Sequence, residues 1–135
     1  MAERVFEPND LAGHWTGTGF RPAQLWAGES EKVTESRTLA AGVAFAKYEV
    51  YAVDSATGNA IKFDPTATGD AATAHGFAAQ PTTTGTTYVQ GYVSGSPNHE
   101  ALLWPESLDT FEKRRAAFYG SRGMFVEKLN GKAPV

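Results

Sequence analysis

The chain is 135 residues long, 41% hydrophobic and 20% charged, which suits one packed domain and excludes a wholly disordered or fibrous chain. Its formal net charge is -3 and its twelve Lys and Arg are scattered, so nothing forms the basic stripe that binds nucleic-acid phosphates. With no cysteine there are no disulfides and no thiolate metal site, and stability must come from packing or assembly.

Met1 to Asp10 carries Glu3, Glu7 and Asp10 and lacks an apolar run, so it does not read as a signal peptide. No stretch approaches the roughly 20 apolar residues of a membrane span, and the expectation is a protein made in the cytoplasm with no membrane partner. From Met1 to Ser30 the glycines and prolines Pro8, Gly13, Gly17, Gly19, Pro22 and Gly28 forbid a long helix. Yet Val5, Phe6, Leu11, Trp15, Phe20, Leu25 and Trp26 are large apolar groups that a solvated tail has no reason to carry. We expect an extended arm over residues 1–28 that docks on another protein surface, followed by a β-rich body over residues 29–135.

Lys32 to Leu39 alternates without a clean apolar face and reads as an edge strand. Ala40-Ala41-Gly42 is a turn, and Val43 to Val53 has the β-branched and aromatic content of a buried strand. Asp54 to Asn59 has reversing-loop chemistry, so Ala60 to Phe63 should pair back as a hairpin. Thr66 to Thr87 is rich in Ala, Thr and Gly and is locally ambiguous, with one apolar piece at Ala74 to Ala78. Thr86 to Ser94 is strongly strand-like, with a bulge or close backbone approach expected at Gly91. Gly95 to Asn98 reads as a turn.

After Pro105, Asp109 and Glu112 form a capping-box pattern and Gly120 offers a left-handed stop, so a helix is expected over Ser107 to Tyr119. Arg115 shares the sector of Leu108, Phe111 and Phe118 and must snorkel or meet a carboxylate. Gly123 to Leu129 suits a last strand. The fold class is therefore mainly β with one short helix, and Phe45, Tyr51, Trp104, Phe111 and Phe118 are the expected structural core.

Catalytic chemistry has little support. His14, His75 and His99 sit in separate segments without metal-ligand spacing. His99 and Glu100 are adjacent, so on a strand they would point to opposite faces, and solvated turn residues are the better reading. No Gly-x-Ser-x-Gly elbow is present, and Gly17-Thr18-Gly19 lacks the third glycine, the Lys-Ser/Thr and the helix of a phosphate loop. No catalytic residue, metal or cofactor is expected, which leaves an esterase or metal-dependent hydrolase without residues to carry it. Gly13-His14-Trp15 resembles the Gly-x-Trp of lipocalins, whose ligand-binding barrel is the alternative reading. Against it, Thr66 to Gly85 is too poor in apolar residues to supply two of the eight strands required.

A resemblance spans Gly28 to Leu129. Ile61-Lys62-Phe63-Asp64 precedes an Ala/Thr/Gly/Asp-rich loop, Gly76-Phe77-Ala78-Ala79 follows it, and Leu103-Trp104-Pro105-Glu106 leads into Lys113-Arg114-Arg115-Ala116-Ala117-Phe118. Upstream, Val33 to Leu39 ends on Ala40-Ala41-Gly42. In this order the four features resemble the head decoration proteins of tailed bacteriophages, the capsid-stabilising family typified by the lambda D protein. Ala41-Gly42-Val43 stands where the family commonly has Ala-Gly-Gln. The resemblance implies a β-clip-like body that assembles as a homotrimer on the outer surface of the virion head, at three-fold and quasi-three-fold positions. It further implies that the N-terminal arm contacts the major capsid protein, with no cofactor and no nucleic acid involved.

Overall fold

The computed structural model describes residues 24–83, 85–121 and 123–129. Val5, Phe6, Leu11, Trp15 and Phe20 of the expected arm lie outside the described residues, as does the Gly13-His14-Trp15 motif. Among the described residues the fold is mainly β with one short helix, as the sequence leads one to expect. Its strands are β1 (Val33–Thr38), β2 (Val50–Val53), β3 (Ala60–Lys62), β4 (Gly76–Ala78), β5 (Tyr88–Gly95) and β6 (Gly123–Met124), and its helix is α1 (Phe111–Ala117).

The strands form one sheet in the order β1-β5-β4-β2-β3, antiparallel throughout, with β6 joining β5 in parallel. This is not the neighbour-to-neighbour meander of a lipocalin. The outer strands do not both remain open: Leu39, just past β1, bridges to Ala60 of β3, and Ala40 N–H donates to the Ala60 carbonyl at 3.0 Å. The sheet thus closes on itself at that end, which removes part of the edge that would otherwise invite pairing.

β2 explains the two cores. Its four residues alternate between faces, so Val50 and Ala52 enter one cluster while Tyr51 and Val53 enter the other. The closed side holds Phe45, Tyr51, Ala60, Ala78 and Val89. The second cluster holds Phe63, Phe77, Leu102, Leu108, Phe118, Met124 and Val126, packed beneath the C-terminal third of the chain. A strand buried on both faces reads as an unbroken apolar run, as Val-Tyr-Ala-Val does.

Several expected elements change. The strand expected over Val43 to Val53 starts only at Val50, because Tyr48 takes φ 64 and turns the chain. Tyr48 N–H then bonds the Ala78 carbonyl at 2.7 Å and its own carbonyl accepts from Leu103 at 2.9 Å, so tertiary partners fix the break. The helix spans seven residues rather than thirteen, with Thr110 as its N-cap accepting from Lys113 N–H at 3.3 Å. Asp109 instead pairs with Lys113 at 3.1 Å, and Gly120 is not left-handed. Gly95 to Asn98 is no turn: all four residues are buried and paired on both sides.

Candidate interaction surface

Ser96, Pro97 and Asn98 continue the line of β5 between two other segments. On one side Trp26 bridges antiparallel to Pro97, Ala27 N–H bonds the Ser96 carbonyl at 2.8 Å, and Asn98 N–H bonds the Leu25 carbonyl at 2.7 Å. On the other side Phe125 N–H bonds the Gly95 carbonyl at 2.9 Å, Glu127 N–H bonds the Pro97 carbonyl at 3.0 Å, and His99 N–H bonds the Glu127 carbonyl at 2.9 Å. The Asn98 side chain donates to the Gln24 carbonyl at 2.9 Å, which ties down the first described residue.

Direction follows from this pairing. The N-terminal segment is antiparallel to 95–98 and the C-terminal segment is parallel to it. Gln24 and Lys128 therefore stand at the same end of the molecule, on either side of Asn98 and His99, roughly 10 Å apart if each ladder has ordinary strand spacing.

Leu25 and Trp26, expected within the docking arm, are held by the body. Trp26 is half-buried, sets its ring edge-on to Tyr92 at 5.0 Å and tilted to Phe77 at 6.0 Å, and lies under the Lys32 ammonium at 5.0 Å. Gly95 makes room for it. A Cβ there would lie 2.6 Å from Trp26 Cζ3, and Gly95 has φ 138, a region closed to other residues. Residues 24–28 are thus bonded to the segment 95–98.

The same end carries a strip of rings and cations. Trp104 is half-buried, meets Phe118 edge-on at 5.8 Å and donates Nε1–H to the His99 carbonyl at 2.8 Å. The Arg114 guanidinium lies 5.7 Å from the Trp104 ring, donates Nε–H to the Leu108 carbonyl at 2.8 Å, and donates Nη1–H to His99 Nδ1 at 3.0 Å. Since arginine has only donors, His99 Nδ1 must be the acceptor. His99 packs against Phe111 at 5.1 Å, and Arg115 and Lys128 both stand over that ring, at 5.7 and 5.1 Å. Arg115 snorkels, as its helical position requires. Burial, then the Arg114 and Lys128 charges, hold the His99 pKa below 6.5 against the opposing pull of Glu100 and Glu112. His99 is accordingly a half-buried neutral acceptor rather than a solvated turn residue.

Around the corner, Arg115, Phe118, Tyr119, Met124, Phe125 and Glu127 line a groove of about 250 Å³. Tyr119 is 73% exposed and Phe125 56%, which is high for residues of this size.

A second polar constellation lies at the closed side of the sheet. The Glu35 carboxylate receives Arg37 Nε–H at 2.6 Å, Arg37 Nη2–H at 2.8 Å and Tyr51 O–H at 3.1 Å, and lies 3.2 Å from His75 Nε2. Burial pushes Glu35 up, but the hydrogen bond and charge of Arg37, the charge of His75 and the Tyr51 hydroxyl together leave it below 4.5. Burial and Glu35 push the Tyr51 hydroxyl far up. Gly91 is what lets the Tyr51 ring pass, for a Cβ there would meet ring atoms Cε2 at 2.8 Å and Cζ at 2.9 Å. The cleft above this group, about 640 Å³, is lined by Val33, Glu35, Arg37, His75 and Ser94 among others. Arg37, Tyr51 and His75 converge on the one Glu35 carboxylate, and the bond from Tyr51 to Glu35 ties β2 to β1. Among the described residues no group of three acidic or histidine side chains is placed to hold a metal ion.

Of the expected core, Phe45, Tyr51 and Phe118 are buried, while Trp104 and Phe111 are half-buried and belong also to the strip. Sequence reading missed Asn98, His99, Arg114 and Lys128 as a group. The run Lys113-Arg114-Arg115 was the visible signal, but its partners lie on three other segments.

A family model described as Bacteriophage lambda head decoration protein D matches residues 18–125. No curated protein matches the chain.

Proposed function

The chain belongs to the bacteriophage lambda head decoration protein D family, and we propose that it acts there as a cement protein, binding as a homotrimer to the major capsid protein and stabilising the expanded head. The family consists of structural proteins of the phage capsid, not of enzymes, and places the protein on the virion. The binding sites are the three-fold and quasi-three-fold positions of the shell, and the N-terminal arm, with Val5, Phe6, Leu11, Trp15 and Phe20, makes the first contact. No cofactor takes part.

The observation that supports this reading is the pairing of both 24–27 and 123–127 with 95–99, which puts Gln24 and Lys128 at one end beside half-buried rings and the cations that stand over them. An apolar arm anchored by main-chain bonds at its root can extend a neighbouring sheet, with its aromatic residues as anchors. Three arms on one trimer multiply weak contacts into avidity. The test mixes purified protein with undecorated heads of the encoding phage, before and after expansion. The protein should sediment alone as three chains, saturate expanded heads, leave unexpanded heads bare and raise the temperature at which expanded heads rupture. A monomer that binds neither form of head would overturn the proposal.

A further inference from the structure

Among the described residues three arginine and lysine side chains pair with carboxylates, while Lys32 and Lys47 stand singly over the rings of Trp26 and Tyr48. Arg37 pairs with Glu35, Lys62 with Glu49 and Lys113 with Asp109. Arg114, Arg115 and Lys128 have no carboxylate within ion-pair distance among the described residues, yet all three are gathered on two rings. Arg114 is the most constrained. Its two hydrogen-bond acceptors, the Leu108 carbonyl and His99 Nδ1, are both neutral, so they fix the guanidinium in place without balancing its charge. Three of its five N–H groups are left for another acceptor. Arg115 and Lys128 converge on the one Phe111 ring, where each gains about 1 kcal/mol at most from the ring at an exposed site and they repel each other.

A cluster held together by neutral acceptors and shared rings, with no carboxylate in contact among the described residues, has donors and charge to offer an anion. We infer that the strip from Trp104 through Arg114, His99 and Phe111 to Arg115 and Lys128 is a receptor for carboxylate side chains of the shell protein. Arg114 supplies a fixed fork that can take a carboxylate two-handed, and Arg115 and Lys128 supply charge around it. The inference rests on the capsid-binding reading and deepens it, since the strip lies at the end where Gln24 stands. Single carboxylates fit better than a phosphate backbone. Glu100 and Glu112 act on His99 from close by and the whole chain is acidic at -3, which repels a polyanion but leaves room for one or two acidic side chains between them.

Arg115 and Lys128 are exposed and their side chains make no hydrogen bond among the described residues, so the double charge reversal R115E/K128E should leave the fold intact. The experiment compares wild type, R115E/K128E and R114K by thermal melting and by co-sedimentation with DNA-free expanded heads over a range of salt. The account expects R115E/K128E to melt like wild type but bind about 10–100-fold more weakly, with a flatter salt dependence. R114K, which keeps charge and loses the fork, should bind several-fold more weakly than wild type. Wild-type affinity matched by R115E/K128E at every salt concentration would overturn the inference alone, as would binding that requires DNA. Failure of wild type to bind heads at all would overturn the capsid reading, and this inference with it.

Discussion

The closed side of the sheet and the end that carries Gln24 and Lys128 settle their charges in opposite ways. At the closed side Glu35 gathers Arg37, Tyr51 and His75 onto one carboxylate, and the bridge from Leu39 to Ala60 joins the outer strands. At the other end Arg114 is held by neutral partners and Arg115 and Lys128 share a ring, while around the corner Tyr119 and Phe125 stand in solvent. Charge and edges that are answered within the chain stabilise it, whereas those left open mark where a partner is to be met. The first region is scaffold, and under the proposed function the second is the surface that meets the shell.

The largest effect should come from breaking the scaffold. Tyr51 is fully buried, and Tyr51→Ala should cost about 3–5 kcal/mol by opening a cavity and taking a donor from Glu35, measured as a shift in urea midpoint. Trp104→Ala should cost less, about 2–3 kcal/mol, because the ring is half-buried and the Arg114 side of it faces the strip. Equal costs for the two would erase the contrast between the regions. The third effect is smaller and lies in pH. His99 binds its proton less readily when folded, so below 6.5 the unfolded chain holds more protons and stability falls as pH drops towards the lower native value. Glu35 is also lowered, so its contribution is full above 4.5 and is lost as pH falls through its native value. Melting curves should therefore show the strip weakening first on acidification. His99→Gln should flatten the limb just below 6.5 and leave the limb below 4.5 unchanged, and the reverse pattern with Glu35→Gln would complete the separation.

Much of the scaffold was legible in the sequence. β1 announced itself as an edge by lacking an apolar face, and its half-buried Glu35 and Arg37 are the inward charges that edges tolerate when paired. The β2–β3 hairpin followed from Asp54 to Asn59, whereas at Gly91, where a bulge or a close backbone approach was expected, it is the Tyr51 ring that comes close. What failed depended on distant partners. Gly95 to Asn98 has turn composition, yet two segments about 70 residues upstream and 30 downstream pair with it and bury it. That Trp26 packs over Gly95 was equally hidden, because the space there is a tertiary fact. The strip was less legible still, since His99, Trp104, Arg114 and Lys128 meet only when three connections have closed.

The central claim is that the body is complete from Gln24 onward and that the segment before it serves the shell. Deleting residues 1–23 tests this most directly, because it spares Leu25, Trp26 and the bond from Asn98 to Gln24. The shortened protein should melt within about 2 °C of the full chain, remain trimeric, and lose at least about a thousandfold in apparent affinity for expanded heads, as three arms act together. A shortened protein that binds heads as well as the full chain, or that no longer folds, would contradict the account.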